Sequence, residues 1–411
     1  MKTLGLSRYS LLACCVAIAA CSQAPQLSPG RFTPQADGAH ERLASPLAYS
    51  VVYSFNVAPD GNYPEAGLID VSGTLYGTTI GGGKFNVGTI FTIAASGGES
   101  VFYSFSDRPD AFEPGASLID VSGTLYGTTY QGGKNGDGTV FSITTGGTEE
   151  VLYSFKGGKT DGDGPAAALI DVDGTLYGTT YSGGKYDEGT VFSVTTGGTE
   201  KVLHSFGKGS DDGAYPLADL INVKGTLYGT TQYGGASFRG TVFSITTGGR
   251  EKVLHSFGGG SADGSFPYAG LIDVKGTLYG VTTDGGSFCQ PSGGCGTVFS
   301  ITTGGTEKVL HSFGSGSDGS APEAALIDVS GTLYGTTALG GVNGDGTVFS
   351  ITTGGAEVVM HSFAGSPNDG NYPVASLIDV SGTLYGTTEE GGANVCGSPN
   401  TGCGTVFSIT P

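Results

Sequence analysis

The twelve residues "LIDVSGTLYGTT" at 68 to 79 recur letter for letter at 118 to 129, 326 to 337 and 377 to 388, with near-copies starting at Leu169, Leu220 and Leu271. A segment repeated seven times means one structural unit repeated seven times, and the spacing restricts the fold more than any other property of the chain. The "LYG" tyrosines, Tyr76, Tyr126, Tyr177, Tyr228, Tyr279, Tyr334 and Tyr385, lie 50, 51, 51, 51, 55 and 51 residues apart. A period near fifty belongs to propeller blades or arrays and not to short solenoid coils. Glycine at 77 residues and proline at 17 would otherwise raise the prospect of low complexity, which the strict period answers.

Each unit holds four short β-rich runs, in the second unit "SLIDV", "TLYGTT", "GTVFSIT" and "EEVLYSF", and none has the apolar spacing of a helix. In "DVSG" the Asp suits the first position of a type I turn and the Gly a left-handed position, which predicts a three-residue hairpin with a G1 bulge. "TTGG" joins the third and fourth runs as tightly. Tight turns make neighbouring strands antiparallel, whereas a parallel β-helix needs strands that all run one way. The prediction is an all-β, seven-bladed β-propeller of four-stranded antiparallel blades. The first strand after the N-terminal region, "SVVYSF", is of the fourth type and the last, "GTVFSIT", of the third. The N-terminal strand therefore completes the last blade and removes the exposed sheet edges.

Residues 1–21 have the parts of an export signal: Lys2 and Arg8, then the apolar run "LLACCVAIAAC". Its end, "IAAC", resembles a bacterial lipobox, which implies lipidation of Cys21 as the new N-terminus; a plain signal peptide cut near Ala20 or Ala24 is the alternative. Residues 22–48, rich in Pro, Gln, Ser and Ala, read as a flexible tether, and 49–411 as the propeller. The expected address is the cell envelope or its outer surface, or secretion, with membrane contact through the lipid alone. A net charge of -19, from 18 Lys and Arg against 37 Asp and Glu, has the wrong sign for nucleic acid.

The order "LYG", paired glycines, variable loop, "GTVF" resembles kelch repeats. It is closer to the bacterial GloVer (Gloeo/Verruco) tandem repeat, whose units look like "DG-x-x-P-x-A-x-L... LYGTT... GG... GTVF". All seven units fit, with departures at Ala111 and Val281. The resemblance implies an exported, cell-surface or extracellular propeller and brings no catalytic residues.

The fourth-to-first and second-to-third loops share one face, where function is expected. The second-to-third loop has four residues between "GG" and "G" in most units, nine in the fifth and eleven in the seventh. The two long loops carry Cys289 and Cys295, Cys396 and Cys403, which predicts two local disulfides in an oxidising compartment; a four-thiol zinc site is the sharper alternative. The fourth-to-first loop places Asp four residues before Pro in every unit: Asp60, Asp110, Asp161, Asp212, Asp263, Asp318 and Asp369. Seven carboxylates around the central opening would draw calcium or a basic ligand, whereas Asp-Gly turn chemistry needs no ligand. Asp70 and its equivalents, with Asn222 in the fourth unit, read as turn residues. His204, His255, His311 and His361 stand where the first units have Tyr53, Tyr103 and Tyr153, an aromatic packing position with a polar tip.

An enzyme needs a constellation that breaks the sevenfold symmetry. The single-copy candidates on the variable face are Arg108, Glu113, Arg239, Glu389 and Glu390, with the aromatic Tyr130, Tyr181, Tyr233, Phe238 and Phe288. Glu389 with Glu390 could serve glycoside chemistry, but adjacent residues normally point apart and solvated loop charges are the plainer reading. No run of the sequence resembles a nucleophile elbow, a metal triad or a phosphate loop, and no catalytic residue, metal or cofactor is assigned. The expectation is a monomeric binding or adhesion propeller for a protein, peptide or glycan, with an extracellular lyase or hydrolase acting at the central funnel, and a passive spacer, as alternatives.

Overall fold

A computed structural model describes residues 48–94, 97–106, 111–288, 295–396 and 401–411. Cys21, Arg108, Asp110 and Cys289 lie outside these residues. Among the described residues there are seven four-stranded antiparallel sheets, six of them in chain order, as in the second unit Ile119–Val121, Thr124–Thr129, Thr139–Thr144 and Glu149–Ser154. The first strands of neighbouring blades touch, so they line the axis and the fourth strands form the outer rim. Among the described residues no helix is long and apolar enough to cross a membrane.

The repeated letters are explained by packing between blades. Tyr177, Val191 and Phe206 of one blade close on Leu220, Leu227, Phe243 and Ile245 of the next, and the same layer recurs around the ring. Phe206 meets Phe243 edge to face at 5.1 Å, and equivalent pairs run from Phe55–Phe91 to Phe363–Phe407. The glycine of "LYG" is forced by this layer: a Cβ on Gly229 would stand 2.8 Å from both Leu220 Cδ2 and Phe243 Cζ. The residue after this glycine, a threonine in most units, latches blade to blade. Thr230 Oγ1 donates to the Ala269 carbonyl at 3.0 Å, and Thr387 Oγ1 to Ala66 at 3.1 Å across the joint of first and last blades. Val281 takes that place in the fifth unit and buries a methyl where the others bury a hydroxyl.

At the ends of the chain, Ala48–Ser54 pairs antiparallel with Thr405–Thr410 as the outer strand of the seventh sheet. Tyr49, on this strand, stacks on His361 at 3.6 Å and donates to Asp369.

The first hairpin differs from the expected three-residue bulge. Val71 pairs with Thr74, and both intervening residues are left-handed, Ser72 at φ 55° and Gly73 at φ 83°. This is a two-residue type I′ turn, whose twist matches that of the flanking strands. Asp70 still accepts from the Gly73 amide at 2.8 Å, and Asn222 from Gly225 at the same distance, as turn residues should. The three-residue loop with a left-handed glycine belongs to the other hairpin, where the amide of Gly147 (φ 82°) donates to Thr144 at 2.8 Å.

Candidate functional site

The fourth-to-first loop runs from the outer rim to the axis, and its aspartates make the local turn contacts of the Asp-Gly alternative and not a ring at the central opening. Asp60 accepts from the amides of Asn56 at 2.9 Å and Gly61 at 2.7 Å, and from the Tyr53 hydroxyl at 2.8 Å. Asp161 is held likewise by Lys156, Gly162 and Tyr153. In the later blades histidine takes the tyrosine position: His204, His255, His311 and His361 lie 3.5, 3.4, 3.0 and 3.0 Å from Asp212, Asp263, Asp318 and Asp369. Tyr53, Tyr153 and these histidines are on the outermost strands, so the described members of the series sit at the rim and not at the central opening.

The inner end of the same loop builds a different site. Gly61–Asn62 pairs with Gly81–Gly82, a two-residue ladder that repeats in every blade and ties this loop to the second-to-third loop. Beyond the ladder, the residue before the proline is left-handed: Tyr63 (φ 58°), Glu113 (59°), Tyr215 (55°), Phe266 (56°), Ala321 (52°) and Tyr372 (60°). Bulky side chains adopt this conformation only where the surroundings impose it, at about 1–3 kcal/mol each. Tyr63 is fixed by its amide on Cys403 of the previous blade and its carbonyl on Ile80 of its own.

The positions after the proline face the axis. A Cβ on Gly115 would lie 3.8 Å from Glu65 Oε2 of the adjacent blade. Glu65 and Glu323, two blades apart, still repel one another, which places both at the mouth of the central funnel. Glu389 joins them and is only 8% exposed, against the expectation of a solvated loop charge. Burial, then the charges of Glu65, Glu390 and Glu323, push its carboxyl up to about 9. Burial and Glu65 push Glu323 up to about 7, against a hydrogen bond with Tyr372. Glu390 accepts from Asn371 Nδ2 at 3.2 Å. Deeper in the funnel Asp219 stands where the other blades have Gly, Ser or Ala, and accepts from the Ala168 amide at 2.6 Å; burial raises its carboxyl too.

Aromatic rings occupy another arc of the same funnel. Tyr181 and Tyr215 lie 4.8 Å apart, Tyr215 and Tyr233 5.9 Å, Tyr233 and Phe266 5.3 Å. Arg239 extends this run, its guanidinium 5.8 Å from the Phe266 ring. Phe238 and Phe288 are 70% and 51% exposed at loop tips. Cys396 and Cys403 form a disulfide, which removes two thiols from the four-thiol zinc alternative; the Cys289–Cys295 pairing involves a residue outside those described. The sequence reading missed Glu65, Asp219, Glu323 and Tyr372. Their signal is that each is an acid or a ring at a position where other units differ, inside a repeat that otherwise copies itself.

The profile of the Gloeobacter/Verrucomicrobia repeat matches residues 38–159, 97–293 and 289–411. No curated protein matches the chain. Among solved structures, a putative 6-phosphogluconolactonase from Bacteroides uniformis is similar at 14% identity and a TM-score of 0.49, over 76% of this chain and 88% of that one. A gluconolactonase from Xanthomonas campestris is similar at 14% identity and 0.40, over 70% and 82%. Likeness at this level carries nothing about activity. With the repeat matched from residue 38 to Pro411 and every blade built from it, the chain belongs to the Gloeobacter/Verrucomicrobia repeat family.

Proposed function

We propose that this is an exported binding propeller, held at the cell envelope by a lipid on Cys21 and the tether of residues 22–48, and that it takes its ligand in the funnel of the variable face. One observation carries the reading: in a chain of near-identical repeats, the divergent residues gather at the axis, with rings on one arc and carboxylates on another. The ligand class that fits is a glycan or peptide with a ring or other flat apolar face for Tyr181, Tyr215, Tyr233 and Phe266 and a basic group for Glu65, Glu323 and Glu389. A monomer suffices, since one ring closes the site.

A glycan and peptide array probed with the mature chain tests this. Tyr233→Ala removes a stacking surface worth about 0.5–1.5 kcal/mol, so binding to any hit weakens up to about tenfold. Hits that bind the Tyr233→Ala, Glu323→Gln double variant as tightly as the wild type would sink the funnel as the site.

One observation favours a second reading, an extracellular lyase or hydrolase. Burial and mutual repulsion push Glu389 up to about 9 and Glu323 only to about 7, so the two carboxyls part in their readiness to release a proton, as an acid and base pair needs. Release of reducing ends from a bound glycan, lost in Glu389→Gln, supports it; a glycan recovered intact rules it out for that ligand.

A further inference from the structure

At the outer rim, neighbouring blades meet through a side-chain cluster that the funnel does not use. The histidine and aspartate of one blade face a glutamate from the outer strand of the next: His204, Asp212 and Glu251; His255, Asp263 and Glu307; His311, Asp318 and Glu357. In each cluster one nitrogen and two carboxylate oxygens lie within 4.8 Å of one another. The His to Asp separations are 3.5, 3.4 and 3.0 Å, the last two being hydrogen bonds that a bound ion would replace. Ligand atoms bonded to a first-row divalent ion at about 2.0–2.2 Å stand at a similar spacing from each other, about 3–3.5 Å.

A second observation is independent of that spacing. Glu251, Glu307 and Glu357 each bury Oε1 without a hydrogen-bond partner, as Glu99 and Glu200 do beside Tyr53 and Tyr153, and His204 does so with Nε2. Buried polar atoms are ordinarily satisfied, so lone pairs left over at one point in successive junctions call for a partner. The clusters remain reachable: the histidine side chains are 16, 22 and 20% exposed. The first opens on a cavity of about 580 Å³ lined by His204, Asp212, Glu251 and Lys208.

The same ring contains its own controls. In two junctions a phenol replaces the imidazole, with Tyr53 donating to Asp60 at 2.8 Å and Tyr153 to Asp161 at 2.7 Å. Burial and the adjacent carboxylates push both phenols up, so they stay neutral donors. At the closing junction Tyr49 stands in the glutamate position, and among the described residues His361 and Asp369 are joined by no third ligand. The rim geometry is thus kept with or without a metal-ligand set, and only some junctions carry imidazole, Asp and Glu together.

We propose that each of the three His–Asp–Glu junctions binds one divalent transition ion, Mn²⁺ to Zn²⁺ in class, which bridges the outer strands of adjacent blades. One imidazole and two carboxylates suit such ions better than calcium, which takes six to eight oxygens. The ion leaves positions open for water on the cavity side. Tyrosine at the same position cannot serve, because its neutral phenol donates to the aspartate.

The test is equilibrium dialysis of the full chain against Co²⁺ at pH 8, above the value of about 7 to which burial pushes Glu251, Glu307 and Glu357. It is run beside a His204→Tyr, His255→Tyr, His311→Tyr variant that copies the natural tyrosine junctions. The wild type is expected to hold three more Co²⁺ ions than the variant, with visible d–d absorption, and each single substitution to lose one ion. Cysteine and tether contributions are the same in both proteins and cancel. Should the tyrosine variant misfold, Glu251→Gln, Glu307→Gln, Glu357→Gln removes one ligand from each junction at constant shape and is expected to give the same loss. Equal Co²⁺ content in wild type and folded variant, or none in the wild type, overturns the proposal.

Discussion

Replacing Glu389 by glutamine should stabilise the propeller, and by an amount that grows with pH. The residue is 8% exposed, and burial followed by the charges of Glu65, Glu390 and Glu323 moves its carboxyl from 4.5 to about 9. In the unfolded chain the carboxyl ionises at its ordinary value, so between the two pH values the folded chain holds a proton that the unfolded chain has released. Stability therefore falls as pH rises through this window. Across the interval from 4.5 to 7, at about 1.36 kcal/mol per pH unit, the loss amounts to about 3 kcal/mol. The glutamine side chain has no proton to lose and keeps the neutral shape. The variant should match the wild type near pH 4.5, exceed it by about 2–3 kcal/mol at pH 7, and gain further up to about pH 9. Differential scanning calorimetry of both proteins across that range measures this as a difference in Tm. The rim glutamates, pushed up to about 7, titrate in both proteins and cancel. An advantage that is the same at pH 5 and pH 8, or a variant less stable at pH 8, would refute the burial and crowding ascribed to Glu389.

Two further outcomes follow from the packing. Gly229→Ala drives a Cβ to within 2.8 Å of Leu220 and Phe243 in a filled interblade layer, and should cost about 1–3 kcal/mol in thermal unfolding; a Tm equal to the wild type means that the layer is looser than its geometry. Cys396→Ser opens a cross-link between residues seven apart and should lower stability by roughly 2 kcal/mol under oxidising conditions. The deficit should shrink when both proteins are measured in dithiothreitol, and a deficit unchanged by reductant would mean that something other than the cross-link was lost.

The architecture was legible because blade packing leaves little choice: Phe206 needs Phe243, and Gly229 must yield space to both Phe243 and Leu220. Turn type was less legible, since Asp70 accepts from Gly73 whether the turn has two residues or three. Radius was not legible at all. Strand order places the fourth-to-first loop on the variable face, but that loop crosses from rim to axis, and its Asp60 and Glu65 are five residues apart. Five extended residues reach about 17 Å. The repeated Asp at the rim end is accounted for by the local turn chemistry read from the sequence, whereas the alternative of an Asp ring at the centre gives way to the unrepeated Glu65 and Glu323, which the sequence reading passed over.

That displacement explains why the two candidate sites differ in kind. At the rim a side chain meets only its own blade and the next, so whatever binds there sees a small set of ligands and the same set again one blade on. His204 with Asp212 and Glu251 is repeated by His255 with Asp263 and Glu307, which suits an ion. Near the axis, residues two blades apart interact: Glu65 with Glu323, and Tyr268 with Tyr372. Only there can a sevenfold ring present different chemistry on different sides of one ligand. An asymmetric partner therefore has to be read at the funnel, by the positions at which the repeats stop agreeing.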